Sequence, residues 1–423
     1  MNRRQGIYFS VAFVVAAAVL RLIWVGDMEY KYDEYYMFSV TQMAGATDSW
    51  PMIGMESGAS LRNPALSVWL FIVLKNLFSV TTPIGLTRAV MILNVLAVAL
   101  VFLFAFRFVN DEEREGWLWA GALAAVNPAA IQLHRKIWAQ SLLPLFSMLM
   151  IAGWWSRRRP WGAFLWGFLG ACVGQIHMTG FFFSGALLLW TLVFDRFGER
   201  ERRTWRTAAD WKWWLIGSAV GATFLVSWIL YVLNDAGARV AGMGNQSVLG
   251  LYFWRHWIVE TLGVQAQYNI GPALFEDFLR SPVLFGAQTY VVGAAYLLIG
   301  LLALKTALGV ARAMWERRAT LTSLWIGRDS QSAFLSSMAF WGFGILLTAS
   351  AIVIYRHYIV VAFPLTYLWL ARAVLVDKYW GRRTLAVMVL AQACLGIAFL
   401  VFIHVHHGAA GGDYGVSYQW QRY

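Results

Sequence analysis

The heptapeptide YKYDEYY, Tyr30 to Tyr36, sets two adjacent carboxylates, Asp33 and Glu34, among four tyrosines and a lysine. Paired carboxylates can do general acid–base work or help to hold a metal. The plain alternative is two solvated side chains in a loop. Cations recur at two later places, Arg135-Lys136 after NPAAIQLH and Arg356-His357 within YRHYI. An arginine bonds two phosphate oxygens at once and keeps its charge when partly desolvated, so both places suit a phosphate. His177, Arg255 and His256 are further polar candidates, each also readable as an ordinary helix-end residue.

The elements that position these groups must be membrane helices. The chain has 423 residues, 60% of them hydrophobic and 13% charged, with 24 tryptophans, and its mean hydropathy is +0.57. A soluble domain could not hide that much apolar surface. Apolar segments near 7–25, 87–108, 117–133, 138–155, 161–177, 179–195, 213–233, 284–306, 333–354, 357–375 and 382–404 predict about eleven spans. The fold class expected is therefore an all-α polytopic membrane protein, one integral domain over 1–423. Arg3 and Arg4 before the first segment, with Arg21 interrupting it, predict an uncleaved signal anchor. Asn63 to Phe78 carries Lys75 and Asn76 and reads as a juxtamembrane helix.

Lysine and arginine counts orient the loops. RFVNDEERE, SRRRPW, the basic run after Arg196, the run up to Arg328, and DKYWGRR all fall on the cytoplasmic side. All seven histidines, with Asp33, Glu34, Arg62, Arg135, Lys136, Arg255 and Arg356, then fall at the other face, as a site at a membrane surface requires. Two long outer segments, 26–88 and 234–282, hold much of this set, the second including GMGNQ at Gly242 to Gln246. The net charge of +12 sits in short inter-span loops, a pattern of membrane orientation and not of nucleic-acid binding. Cys172 and Cys394 lie in apolar runs and provide no disulfide framework. No inverted repeat of the transporter type is visible, and the span centres are nearly free of charge.

One span followed by YDEYY, RNPAL before an amphipathic helix, and a late YRHYIVVAFPLTYLWLA resemble the GT-C membrane glycosyltransferases. Within that superfamily they are similar to the branch of protein O-mannosyltransferases and the lipid A aminoarabinose transferase. The resemblance implies an inverting transfer from a polyprenyl-phosphate sugar to a lipid, glycan or protein acceptor, in a bacterial inner membrane with the site on the periplasmic side. A transporter or flippase of lipid-linked glycans is the alternative. Asp33 matches the family's catalytic aspartate, and Glu34 would orient Asp33, the acceptor or a metal. Arg356 with His357, and Arg135 with Lys136, would hold the donor phosphate. Tyr32, Tyr35, Arg62, Gln140, His177, Arg255 and His256 would contact substrate. Gln140 stands where relatives often carry an aspartate, which leaves a metal without that ligand. The HVHH cluster, His404 to His407, could hold a divalent metal or could meet headgroups.

Overall fold

A computed structural model describes residues 2–56, 62–195, 208–234, 247–316, 327 and 330–421. GMGNQ, most of the basic run after Arg196 and the basic run ending at Arg328 lie outside them. Among the described residues the chain is a helical bundle with three two-stranded hairpins at its loops. In chain order the helices are α1 Arg3–Leu22, α2 Tyr32–Met43, α3 Leu66–Phe78, α4 Pro83–Arg107, α5 Asp111–Val126, α6 Pro128–Leu133, α7 Leu143–Trp155, α8 Pro160–Ile176 and α9 Thr179–Phe194. They continue with α10 Trp211–Asn234, α11 Tyr252–Leu262, α12 Ala266–Ile270, α13 Pro272–Arg280, α14 Val291–Glu316, α15 Gln331–Ala349, α16 Leu365–Leu375 and α17 Gly381–Val405.

Among the described residues six helices, α1, α4, α10, α14, α15 and α17, are long and apolar enough to cross a membrane. A seventh is the 3₁₀ turn Arg356–Ala362 joined to α16 at a bend of 80°. Each of the eleven expected spans contains helix, but the segment from 284 opens in a hairpin and its helix starts at Val291, and several helices are shorter than a bilayer requires. The segment 117–133 shows why. Asn127 adopts an extended backbone that ends α5, and its side-chain oxygen accepts the Ala130 N–H at 3.0 Å to start α6. Its amide group donates to the carbonyls of Glu260 and Thr261, both at 3.1 Å, so this break is anchored on α11. The second half of α5 is buried by other helices. It fills the bundle interior, which composition cannot tell from a lipid-facing span.

Two helices meet so closely that only glycine fits. A Cβ on Gly167 of α8 would lie 2.2 Å from the Trp214 carbonyl oxygen, and one on Gly217 of α10 would lie 2.1 Å from that of Phe164. Small residues let apolar helices approach backbone to backbone where lipid provides no hydrophobic drive.

The described basic segments meet at one end of the bundle. Arg382 pairs with Glu115 at 2.6 Å, the Ser332 N–H reaches Glu113 at 3.2 Å, Arg157 pairs with Asp195 at 2.8 Å, and Trp155 donates to the Phe108 carbonyl at 3.1 Å. At the far end of the 25-residue α17, roughly 37 Å away at 1.5 Å per residue, lies His404. There α1 terminates under two buried arginines. Arg21 donates to His134 and to the carbonyls of Ala124 and Ala125, while Arg135 takes the carbonyls of Arg21, Ile23 and Trp24 at 2.7–2.8 Å.

Arg135 is therefore a cap on the end of α1. Arg135→Ala would strip charge-assisted bonds of about 1.5–3 kcal/mol each from the carbonyls of Arg21, Ile23 and Trp24, the last of which keeps the Asp27 N–H at 3.0 Å. The thermal midpoint of the detergent-solubilised protein should fall markedly, and Arg135→Lys should recover only part, since one ammonium cannot span the same carbonyls. An unchanged midpoint in Arg135→Ala would contradict this role.

Candidate active site

The helix α2 begins inside YKYDEYY, so the two carboxylates occupy a helical first turn and not a loop. Negative charge is favoured there by the helix dipole. Glu34 turns inward, 2% exposed, and accepts the Lys31 backbone N–H at 2.9 Å, bonding the end of its own helix. Burial raises its pKa to about 7, against the pull of Lys136 and with the push of Glu29. Asp33, on the next face, is partly buried and lines a cavity. Burial also raises its carboxyl above the ordinary value, although the cations of Lys136 and Lys31 act in the opposite direction. Such a carboxylate gains basicity while keeping its approach to a ligand.

The Asp33 cavity has a volume of about 180 Å³, and Gln140, His177, Asn63 and Glu56 share its lining. Beside it lies a cavity of about 400 Å³ lined by Lys136, Arg356, His256, Glu260, Asn269 and Asp413, among others. Trp138, Tyr355 and His357 border both. The partition is a packed aromatic unit, with the Trp138 and His357 rings 4.6 Å apart and Tyr355 stacked on His357 at 5.6 Å. A compartment holding Asp33 thus adjoins, through these shared residues, one in which Lys136 and Arg356 lie with Glu260 and Asp413.

Each cation is held in place. Lys136 pairs with the buried Glu29 at 2.5 Å and lies over the Trp138 ring at 4.9 Å. Arg356 reaches Glu260 and Asn269, both at 3.3 Å, and stacks over Tyr268 at 4.4 Å. Burial raises the Glu260 carboxyl, and Arg356 opposes that shift. The C-terminal segment crosses the same region. Tyr418 N–H bonds the Met28 carbonyl at 3.1 Å, Gln421 bonds that of Tyr30 at 2.6 Å, and Tyr414 N–H bonds that of Asn269 at 2.9 Å. Asp413 arrives with it and pairs with Lys31 at 3.2 Å.

Of the residues expected from the sequence, Asp33, Gln140, His177 and His357 meet in the smaller cavity, and Lys136, Arg356, His256 and His357 in the larger. Arg135 is buried on the α1 carbonyls and lines neither cavity. Tyr32 and Tyr35 are 75% and 55% exposed and line neither, because positions one and two residues from Asp33 lie on other faces of the helix. Tyr35 packs instead edge-on to Tyr30, and Tyr32 on Tyr36. Arg62 sits in the hairpin β2 Arg62–Pro64, paired with β1 Ile53–Glu56, outside both cavities. Arg255 points outward to the Tyr268 hydroxyl at 3.4 Å.

The HVHH histidines each have a protein partner. His404 meets Asp27 at 2.6 Å, His406 the Phe402 carbonyl at 2.9 Å, and His407 the Trp420 ring at 3.6 Å. No group of three or more metal-ligating side chains forms among the described residues. Residues that sequence reading passed over are Glu29, Trp138, Glu260, Asn269 and Asp413. A signal existed for Glu29, an acidic residue two positions before Lys31, and for Asp413, a lone charge in the glycine-rich HGAAGGDYG.

The helical bundle is that of a polytopic membrane protein, and its fold is shared with solved membrane proteins. Among solved structures the chain is similar to ArnT from Cupriavidus metallidurans bound to undecaprenyl phosphate, with a TM-score of 0.53 and 13% identity over 96% of this chain and 78% of that one. The apo oligosaccharyltransferase of Archaeoglobus fulgidus also aligns, with a TM-score of 0.48 and 13% identity over 99% of this chain and 55% of that one. No family model and no curated protein sequence matches the chain.

Glu34 gives a pH signature. Unfolded, it releases its proton near 4.5, but folded it holds the proton to about 7. Between those values the folded state binds more protons, so this group makes stability fall as pH rises. Glu34→Gln keeps an oxygen for the Lys31 N–H and removes the titration. Thermal midpoints measured from pH 5 to 8 should therefore decline less steeply in the variant. Coincident slopes would mean that Glu34 stays ionised throughout.

Proposed function

We propose that the chain is an inverting glycosyltransferase that moves a sugar from a polyprenyl-phosphate donor to an acceptor hydroxyl at the non-cytoplasmic membrane face. The observation that carries this reading is the shared wall, which sets the Asp33 carboxylate in one compartment and the Lys136 and Arg356 cations in the next. The fold shared with ArnT, solved with undecaprenyl phosphate, supports the same donor chemistry. Clustering of the described basic segments at the opposite end supports the orientation.

In this mechanism the donor phosphate lies in the larger cavity, where Arg356 and Lys136 offset the negative charge that builds as the glycosidic oxygen departs. Asp33 takes the acceptor proton as the acceptor oxygen bonds the anomeric carbon from the opposite face. The bond from that carbon to the phosphate oxygen breaks, and polyprenyl phosphate leaves. Attack from one side and departure from the other invert the centre. Glu34, bonded to the Lys31 backbone, is a positioning residue that fixes the turn carrying Asp33. A transporter reading draws no support from the described spans, since the ionisable groups of the two cavities lie outside the six long apolar helices.

Single-turnover transfer at saturating donor tests the assignment. Asp33→Asn should slow transfer by roughly 10²–10⁴ with donor binding retained. Arg356→Lys keeps the charge but loses the fork, so donor affinity should weaken on the order of tenfold. Transfer at the wild-type rate by Asp33→Asn would remove Asp33 as the base, and unchanged donor affinity in Arg356→Ala would remove Arg356 from the phosphate site.

A further inference from the structure

The cations of the larger cavity already have carboxylates. Lys136 pairs with Glu29, Arg356 pairs with Glu260, and the neighbouring Lys31 is shared between Glu29 and Asp413. These acids differ in how firmly they are held. The Glu29 and Glu260 side chains are 1% and 9% exposed, and taking either from its cation would strand a charge inside the protein. The Asp413 side chain is 59% exposed, pairs with Lys31 at 3.2 Å, and lines the cavity together with Lys136 and Arg356. A half-hydrated pair of this kind contributes little to stability and is easily broken. Burial works against ionisation of Asp413, but Lys31, Lys136 and Arg356 outweigh it and hold the carboxyl below its ordinary value. The backbone beneath it is fixed. The Asp413 N–H donates to the Tyr268 carbonyl at 3.3 Å, the Tyr414 N–H to that of Asn269 at 2.9 Å, and the Asp413 carbonyl accepts from Lys31. A Cβ on Gly412 would lie 2.3 Å from the Asn269 carbonyl oxygen, so the chain just before Asp413 rests backbone on backbone against that corner. A solvent-open carboxylate is thus tethered at the edge of the cation cluster.

We propose that Asp413 is a built-in anion that competes with the phosphate of an entering ligand for Lys31, Lys136 and Arg356, and so limits how tightly the polyprenyl phosphate product is retained. The inference rests on the reading of the larger cavity as the phosphate site. With Asp413 in place the cations are compensated, and a phosphate gains their full attraction only by moving that carboxylate out into water. Because the carboxylate is tethered, it stays at high effective concentration and takes the cations back when the phosphate leaves. The charge of the ligand decides how much this matters. A phosphate monoester, the product, carries more negative charge at neutral pH than the phosphodiester of the sugar donor. Repulsion from Asp413 therefore bears harder on the product than on the donor, which favours release after transfer.

The test uses the full chain in phosphatidylcholine nanodiscs, whose lipid adds no net charge, and measures equilibrium binding of undecaprenyl phosphate, its methyl diester and undecaprenol. Asp413→Asn should bind undecaprenyl phosphate more tightly than wild type, by roughly three- to tenfold for one charge removed beside partly solvated cations. The diester should gain less, and undecaprenol nothing. Asp413→Glu restores the charge and should return close to wild type. A merely structural ion pair predicts the reverse, because a Lys31 deprived of its partner would loosen the site and weaken the monoester. Monoester affinity that is unchanged or lower in Asp413→Asn, a gain no larger than that of the diester, or an equal gain for undecaprenol overturns the inference and leaves the phosphate site in place. Undecaprenyl phosphate binding that is absent from wild type and Asp413→Asn alike, or undiminished in Arg356→Ala, would instead overturn the phosphate reading of the cavity, and this inference with it.

Discussion

A buried carboxylate, Glu29, holds the site together. It is 2% exposed and pairs with Lys136 at 2.5 Å and with Lys31 at 2.7 Å. One lysine belongs to the turn after α6 and lines the larger cavity, and the other precedes α2 and Asp33. A single acid thereby couples the element that carries Asp33 to the element that carries Lys136. Buried ion pairs add little net stability over apolar replacements, but removing one partner strands the other charge at a cost of about 3–5 kcal/mol. The arrangement is thus better understood as fixing geometry than as strengthening the fold.

The C-terminal segment reinforces that coupling from outside. Hydrogen bonds from its backbone and side chains run to Met28 and Tyr30 on one side and to Tyr268 and Asn269 on the other. Asn269 in turn receives Arg356. Residues at opposite ends of the chain are joined at the mouth of the larger cavity, so the first and last membrane helices α1 and α17 present their outer ends to one site. The Trp24 ring stacked on His404 at 4.2 Å and the Asp27 contact to the same histidine make this closure both apolar and polar.

A helical bundle accommodates such a site by using helix ends as its building material. The α1 terminus presents bare carbonyls, and Arg21 and Arg135 absorb them and neighbouring ones. The start of α2 presents bare N–H groups, one of which Glu34 receives. Breaks at Asn127 and before α16 create further ends inside the bundle. Irregular backbone in a membrane protein is tolerated where it is buried in protein.

Hydropathy and loop charge by themselves determined that the chain is a polytopic helical membrane protein, because the burial of apolar residues in lipid is a property of composition and window length. The motif YDEYY and the Arg356-His357 pair were legible for the same kind of reason: a charge next to an apolar span is costly, and its type announces its chemistry. Arg135 and Lys136 show where that logic ends. They are adjacent, identical in sign, and equally good phosphate candidates in one dimension, yet one is spent on the α1 carbonyls and the other enters the cavity. Tyr32 and Tyr35 flank Asp33 and Glu34 in sequence but point away from the cavity, because successive residues of a helix are turned by about 100°. Trp138, Glu260 and Asn269 came into view only through contacts between segments distant in sequence. Which cations face one another, which helix ends are buried, and which acids share a wall depend on packing between elements, and that is decided by the tertiary structure alone.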